Sequence, residues 1–257
     1  MASATGYFRP GHSWLHRRHP ITKLLGLAWV LLADFLLSPA VLPMIGAGLV
    51  LLALACGLGR AVAGSLRIPA VLIASILVVN ALVFPGAAAV LFAIGPLGVT
   101  REGLEFGVVS AGRLLIAFIA SVLFLLTTLA DDLLEALVSR GVSHRIAFVL
   151  LSAVQTVPRL QSRAASIIAA QEARGLATVG SLRQRARALV PLVGPLLLSS
   201  LLDVRERTLA LEARAFGARA HRTAYRVVPD PPADRWLRAA FLVGIVGVAV
   251  AAAGRVL

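Results

Sequence analysis

Residues 169–217 read AAQEARGLATVGSLRQRARALVPLVGPLLLSSLLDVRERTLALEARAFG. The triplet Glu-Ala-Arg occurs here twice, and Arg174 and Arg214 stand 40 residues apart. Each copy closes an amphipathic run. Gly175 follows the first copy directly, and Gly217 follows the second after Ala215 and Phe216. Arginine in a last turn suits the negative end of a helix, and glycine suits a left-handed C-cap. The pattern therefore has two readings. Arg174 and Arg214 are dipole partners at helix ends, or they are positive tips that fit acidic grooves on a partner. Two equivalent tips imply two equivalent grooves, hence a dimeric partner.

The rest of the chain is membrane-like. Of 257 residues, 59% are hydrophobic and only 14% charged, where soluble domains carry about 25% charged residues. Mean hydropathy is +0.89. The formal net charge of +13 reads as basic loops facing the cytoplasm and anionic lipid heads, not as a nucleic-acid surface. The opening MASATGYFRPGHSWLHRRHP is polar and basic, so no removable signal peptide is expected. The single Cys56 excludes a disulfide within the chain.

A spanning helix needs about 20 apolar residues. Leu24–Leu37, Val41–Leu58, Ile68–Phe84, Phe106–Leu129 and Trp236–Leu257 are expected to cross. Residues 85–100 are apolar but broken by Pro85, Gly86, Gly95 and Pro96, and are expected to form a surface or re-entrant segment. From residue 130 the chemistry changes: residues 131–226 hold 14 of the 25 basic residues. The apolar stretches Ile146–Val157 and Leu189–Leu202 are short and bounded or interrupted by Pro158, Pro191 and Pro195. They belong to amphipathic helices at or under the membrane. Arg159 and Arg163 share one face there and Leu160 and Ile167 another; Leu201, Val204 and Leu211 form a further stripe. The basic loops place the amino end and residues 130–226 on the cytoplasmic side.

Other candidates are weaker. His12, His16 and His19 have helical spacing for a metal, but Gly11 and Pro20 oppose a helix there, and no metal is expected. Asp131, Asp132 and Glu135 follow the fourth span and have two readings: pairing with Arg140 and Arg145, or a helix start with Asp131 or Thr128 as its N-cap. Asp34 and Asn80 are polar inside spans, where interhelical hydrogen bonding is the default reading and a substrate path the other, and Arg113 must face protein or water. No phosphate-binding loop, catalytic triad or Cys-His pair is present, so neither cofactor nor enzymatic activity is expected.

Two stretches carry a family resemblance. LHRRHPITKLLGL at the amino end and the quoted 169–217 segment resemble the transmembrane T component of energy-coupling factor transporters, the vitamin and metal uptake group of the ABC superfamily. The resemblance covers nearly the whole chain. It implies an all-α polytopic membrane protein with coupling helices between spans four and five. It also implies two cytoplasmic ABC ATPase subunits and a small substrate-binding membrane subunit as partners. On this resemblance Ala173, Arg174 and Gly175 form the first docking tip, and Ala213, Arg214 and Ala215 the second. Ala215 stands where the family has glycine, and Gly217 is expected to supply the left-handed turn instead.

The expected organisation is an amino-terminal segment with spans one to four (1–129), a cytoplasmic coupling domain (130–226), and a linker with the last span (227–257). Leu160, Ile167, Leu197, Leu201, Val204 and Leu211 are expected to form an apolar platform for the substrate subunit. The other classes left open are an ordinary multi-span permease and a membrane-embedded enzyme. The first predicts polar residues facing each other at mid-membrane, the second clustered carboxylates or histidines at one depth.

Overall fold

The computed structural model describes residues 8–11, 13–84, 90–94, 97–175, 182–216 and 229–254. The helices are α1 (Pro20–Leu36), α2 (Leu42–Ala55), α3 (Gly59–Ser65), α4 (Arg67–Val83), α5 (Arg101–Thr127), α6 (Ala130–Val138), α7 (His144–Glu172), α8 (Leu182–Ala213) and α9 (Pro232–Ala253). The chain divides into two compact units, Tyr7–Arg140 with Val228–Leu257, and Gly141–Val227. The division falls after α6, one helix later than the change of composition at residue 130.

The larger unit is a bundle of apolar helices. Among the described residues, α5 and α9 are individually long and apolar enough to cross a bilayer; α3 and α4, bent by 53°, make a third span if taken together, and α2 is shorter. By length and composition, two described helices, or three with the bent pair, meet the requirement for crossing, against the five expected. Within residues 85–100, expected to form a surface or re-entrant segment, the described part is a small hairpin. Val90–Ile94 (β1) and Leu97–Thr100 (β2) pair antiparallel, with Ile94 opposite Leu97 and an irregularity between Val90 and Phe92. Their composition explains it: β-branched and aromatic residues flank a Gly-Pro pair, a hairpin signal that an apolarity scan passes over.

Small residues set the closest helix contact. Gly103, Gly107 and Ala111 repeat every fourth residue on one face of α5, and all three are buried. A Cβ added at Gly103 would strike the carbonyl oxygen of Asn80 in α4, and one at Gly107 would lie 3.4 Å from the Asn80 Cβ. In lipid, where apolar burial does not drive helices together, such close backbone approach does. Between α1 and α9 the packing is reciprocal: Phe241 lies over Gly26, and Trp29 over Gly244. The main apolar core joins α2, α3 and α5 through Leu49, Val62, Ile116, Ile119 and Leu123.

A polar knot closes one end of this bundle. Asp234, in the first turn of α9, is fully buried. It accepts from the His19 main-chain N–H at 2.6 Å and from Arg18 at 2.8 Å. His19 caps α1 by accepting from the Ile21 N–H. That role requires an unprotonated ring nitrogen, and burial, the main influence on this imidazole, holds its pKa below the usual value. Lys23 donates to the carbonyl of Thr127 at the end of α5 at 2.6 Å. Arg238 grips Asp230 through two bonds of 2.7 and 2.8 Å, which holds that carboxyl below its ordinary range. The opening motif therefore ties the first, fifth and ninth helices together. α6 begins after Leu129, with no side-chain cap bond, and carries Asp131 and Asp132 in its first turn; neither Asp131 nor Thr128 is its N-cap.

Candidate docking tips and apolar face

The smaller unit holds both Glu-Ala-Arg copies. At the end of α7 the Gly175 N–H donates to the Glu172 carbonyl at 2.9 Å, and Arg174 N–H to Gln171 at 3.1 Å. At the end of α8 the Ala215 N–H donates to Glu212 at 2.9 Å, and Arg214 N–H to Leu211 at 3.2 Å. The two ends have the same geometry. Gly175 has φ +91° and Ala215 φ +55°. Ala215 itself takes the left-handed turn assigned to Gly217, which lies outside the described residues. The second end is completed by Phe216, whose N–H donates to the Leu211 carbonyl at 2.8 Å, the six-to-one bond of a Schellman cap. The Phe216 ring rests on Phe148 of α7 at 4.7 Å.

A left-handed alanine costs about 1–2 kcal/mol, and glycine returns about 0.4–1 kcal/mol of that through the unfolded chain. Ala215→Gly should therefore tighten this helix end. We expect amide exchange at Phe216 to slow about three- to fivefold, from a net gain of about 0.7–1 kcal/mol. Unchanged exchange would mean that position 215 is not left-handed in the protein. Gly175→Ala should act in the opposite direction at the end of α7.

The two helices meet through polar side chains. Arg163 of α7 donates to Asp203 of α8 at 2.9 Å and to the Ser199 carbonyl at 3.1 Å. Arg207 adds a contact of 3.5 Å to Asp203. These bonds hold the Asp203 carboxyl below its usual pKa. Low-numbered residues of α7 lie opposite high-numbered residues of α8, as Phe148 does Phe216, so the helices run in opposite directions. Arg174 follows Arg163 by 11 residues, and Arg214 follows Asp203 by 11. The 40-residue repeat thus sets both tips about 16 Å of helix from one ion pair. The tips point away from each other, on the order of 30 Å apart. Arg174 and Arg214 are both exposed.

Apolar residues face outward instead. Leu197, Leu201 and Val204 are 59%, 67% and 61% exposed. Leu160, Ile167 and Leu211 are half-buried; Leu160 and Val204 line a small cleft of about 110 Å³ beside the ion pair. The six expected platform residues therefore divide, three presented and three partly covered. A second stripe goes beyond the sequence expectation: Ile146, Val149, Leu150, Val154 and Val157 of α7 are all exposed large apolar residues. Their spacing of three and four was visible in the sequence as one helix face. Contiguous apolar surface of this kind is covered by a partner or by lipid in a working protein.

No group of three or more metal-ligating side chains occurs among the described residues. His16 bonds Ser13 and the Arg9 carbonyl, His19 serves as a cap, and His12 lies outside the described residues.

An apolar helical bundle with helices able to cross a bilayer, in a chain whose second unit is an antiparallel helix pair with matched, arginine-bearing ends, defines a helical membrane protein. Residues 11–225 match the family described as cobalt transport protein. The chain is 34% identical over 240 residues to the energy-coupling factor transporter transmembrane protein EcfT of Heliobacterium modesticaldum, covering 86% of each chain. It is 29% identical over 246 residues to the EcfT protein of Thermosediminibacter oceani, covering 89% of this chain and 90% of the relative. A putative ABC transporter ATP-binding protein of Bifidobacterium longum is 28% identical over 250 residues, 93% of this chain but 32% of that longer protein. The chain belongs to this family, the transmembrane components of energy-coupling factor transporters. Its relatives are named as transporter components, not as enzymes.

Proposed function

We propose that this chain is the coupling subunit of an energy-coupling factor importer in the plasma membrane. It transmits ATP binding and hydrolysis from two cytoplasmic ATPase subunits to a small substrate-binding membrane subunit that carries a vitamin or metal ion. The observation that carries the reading is the pair of matched helix ends, each exposed, each ending in Ala-Arg, and each equally far from the Arg163–Asp203 link. Ala173, Arg174 and Gly175 form one docking tip; Ala213, Arg214 and Ala215 form the other, with Gly217 just beyond. Leu197, Leu201 and Val204, together with Leu160, Ile167 and Leu211, supply the platform. The substrate is then chosen by the other membrane subunit.

The same reading has five crossings, an amino terminus in the cytoplasm, and residues 130–226 as the cytoplasmic coupling domain between 1–129 and 227–257. In a Cys56→Ser background, cysteines replacing Ala173 and Ala213 should react with an impermeant maleimide from the cytoplasmic side only. They should be shielded when the ATPases are bound. A cysteine replacing Glu105 should react only from outside. Labelling of positions 173 and 213 from opposite faces would sink the topology and the docking role together.

One observation speaks for a permease with its own pathway. Asp34 of α1 is fully buried, both its oxygens lack a hydrogen-bond partner, and the charge of Arg113 in α5 acts on it. Yet neither residue lines the large cavity of the bundle.

A further inference from the structure

We propose that the bundle holds one anionic phospholipid, with its acyl chain between α1, α2 and α5 and its phosphate at Arg17. The cavity there has a volume of about 590 Å³, within the roughly 300–1,000 Å³ range of ligand sites. Val30, Ile45, Leu49, Leu123 and Phe124 are among its apolar walls. Its charged lining residues are Arg18 and Lys23, both cationic. A recess that shares Trp14 and Arg18 with the cavity adds Arg17. No carboxylate lines either space. Asp234 neutralises Arg18 from behind, and Asp132 and Asp234 act on Lys23, which itself donates to main-chain carbonyls. Arg17 is the exposed cation at the rim. The Arg18 guanidinium lies 4.1 Å from the Trp14 ring centre, and Trp14 is an exposed aromatic of the kind that sits at headgroup level.

Length and charge favour a lipid. The lining on α1 runs from Thr22 to Val30, about 12 Å of helix, close to the roughly 15 Å depth of one leaflet's hydrocarbon. An apolar groove of one leaflet's depth with a cationic mouth matches one acyl chain under an anionic head. The basic rim then selects an anionic headgroup over a zwitterionic one.

The test is native mass spectrometry of the full chain extracted from bilayers of mixed dioleoyl phosphatidylcholine and dioleoyl phosphatidylglycerol. Phosphatidylglycerol should be retained in preference. Arg17→Gln should lower its retention about fivefold, the worth of one basic residue near an anionic surface, and leave phosphatidylcholine unchanged. Gly48→Phe should abolish the adduct, since a Cβ at Gly48 meets no atom within 4 Å and its ring would enter the cavity. Met44→Trp, at an exposed position on the same wall, is an independent filling variant should the first not fold. Equal retention of the two lipids would overturn the proposal. So would phosphatidylglycerol binding that survives both filling variants, or displacement of the lipid by inorganic phosphate, because each means that no chain enters the cavity.

Discussion

Combining Arg174→Glu with Arg214→Glu should release the ATPase pair completely while the membrane bundle stays folded. A guanidinium bound to a carboxylate makes two parallel, charge-assisted bonds. Losing one partner of such a desolvated pair costs about 2–5 kcal/mol, so two tips together give a loss of roughly a thousandfold or more in affinity. A single reversal keeps one tip docked but forfeits the gain of linked binding, so coupling should fall further than assembly. Arg174→Lys and Arg214→Lys separate docking from a helix-end role. They keep the charge, and with it the macrodipole contribution of about 0.3–1 kcal/mol, but lose the planar fork. Wild-type uptake by the Lys variants would favour the helix-end role. Full co-purification of the ATPases with the double Glu variant, together with normal substrate uptake, would eliminate the docking role.

Leu201→Asp should abolish co-purification of the substrate-binding subunit while sparing the ATPases. Leu201 is among the most exposed large apolar residues of α8. In the isolated chain a surface substitution of this kind changes stability by only about 0.5 kcal/mol. Under a bound subunit the same carboxylate is buried without a partner, at a cost of several kcal/mol by the usual transfer estimates. The contrast between an unaffected free chain and a failed complex is the signature of an interface. Val204→Asp should behave likewise, and Arg205→Asp, on an exposed polar position of the same helix, serves as the control. Unchanged capture of the subunit by the Leu201 variant would move the platform elsewhere, with the Ile146–Val157 stripe of α7 as the alternative.

The parts of this molecule that were legible in its sequence are those with a period. Apolar runs locate the helices of the bundle, and the repeated Glu-Ala-Arg, with its basic surroundings, locates two helix ends. The parts that were not legible depend on approach in space. Nothing in the spacing of Arg163 and Asp203 says that they bond, because the partners lie on different helices. The polar contact between the two helices followed from the same gap. Periodicity separates the apolar and polar sides of α7 and α8 but does not say which side meets the other helix. Ala215 was misread for a local reason: alanine disfavours left-handed backbone, so glycine two residues later was the more natural choice, and the hydrogen bonds to Leu211 and Glu212 override that preference. The hairpin at β1 and β2 escaped because hydropathy treats an apolar strand and an interrupted apolar helix alike.

The equal spacing of the two tips from Arg163–Asp203 has a mechanical meaning. On the proposed reading, the antiparallel helices act as a balance with arms of matched length and the ion pair as fulcrum. Moving one tip by about 3 Å over an arm of about 16 Å turns its helix by roughly 10°, and the other arm answers to an equal displacement with an equal turn. Leu201 and Val204 sit within two residues of the fulcrum, where such a turn produces almost no translation. A load resting on those side chains would be tilted in place, while the tips carried nearly all of the travel.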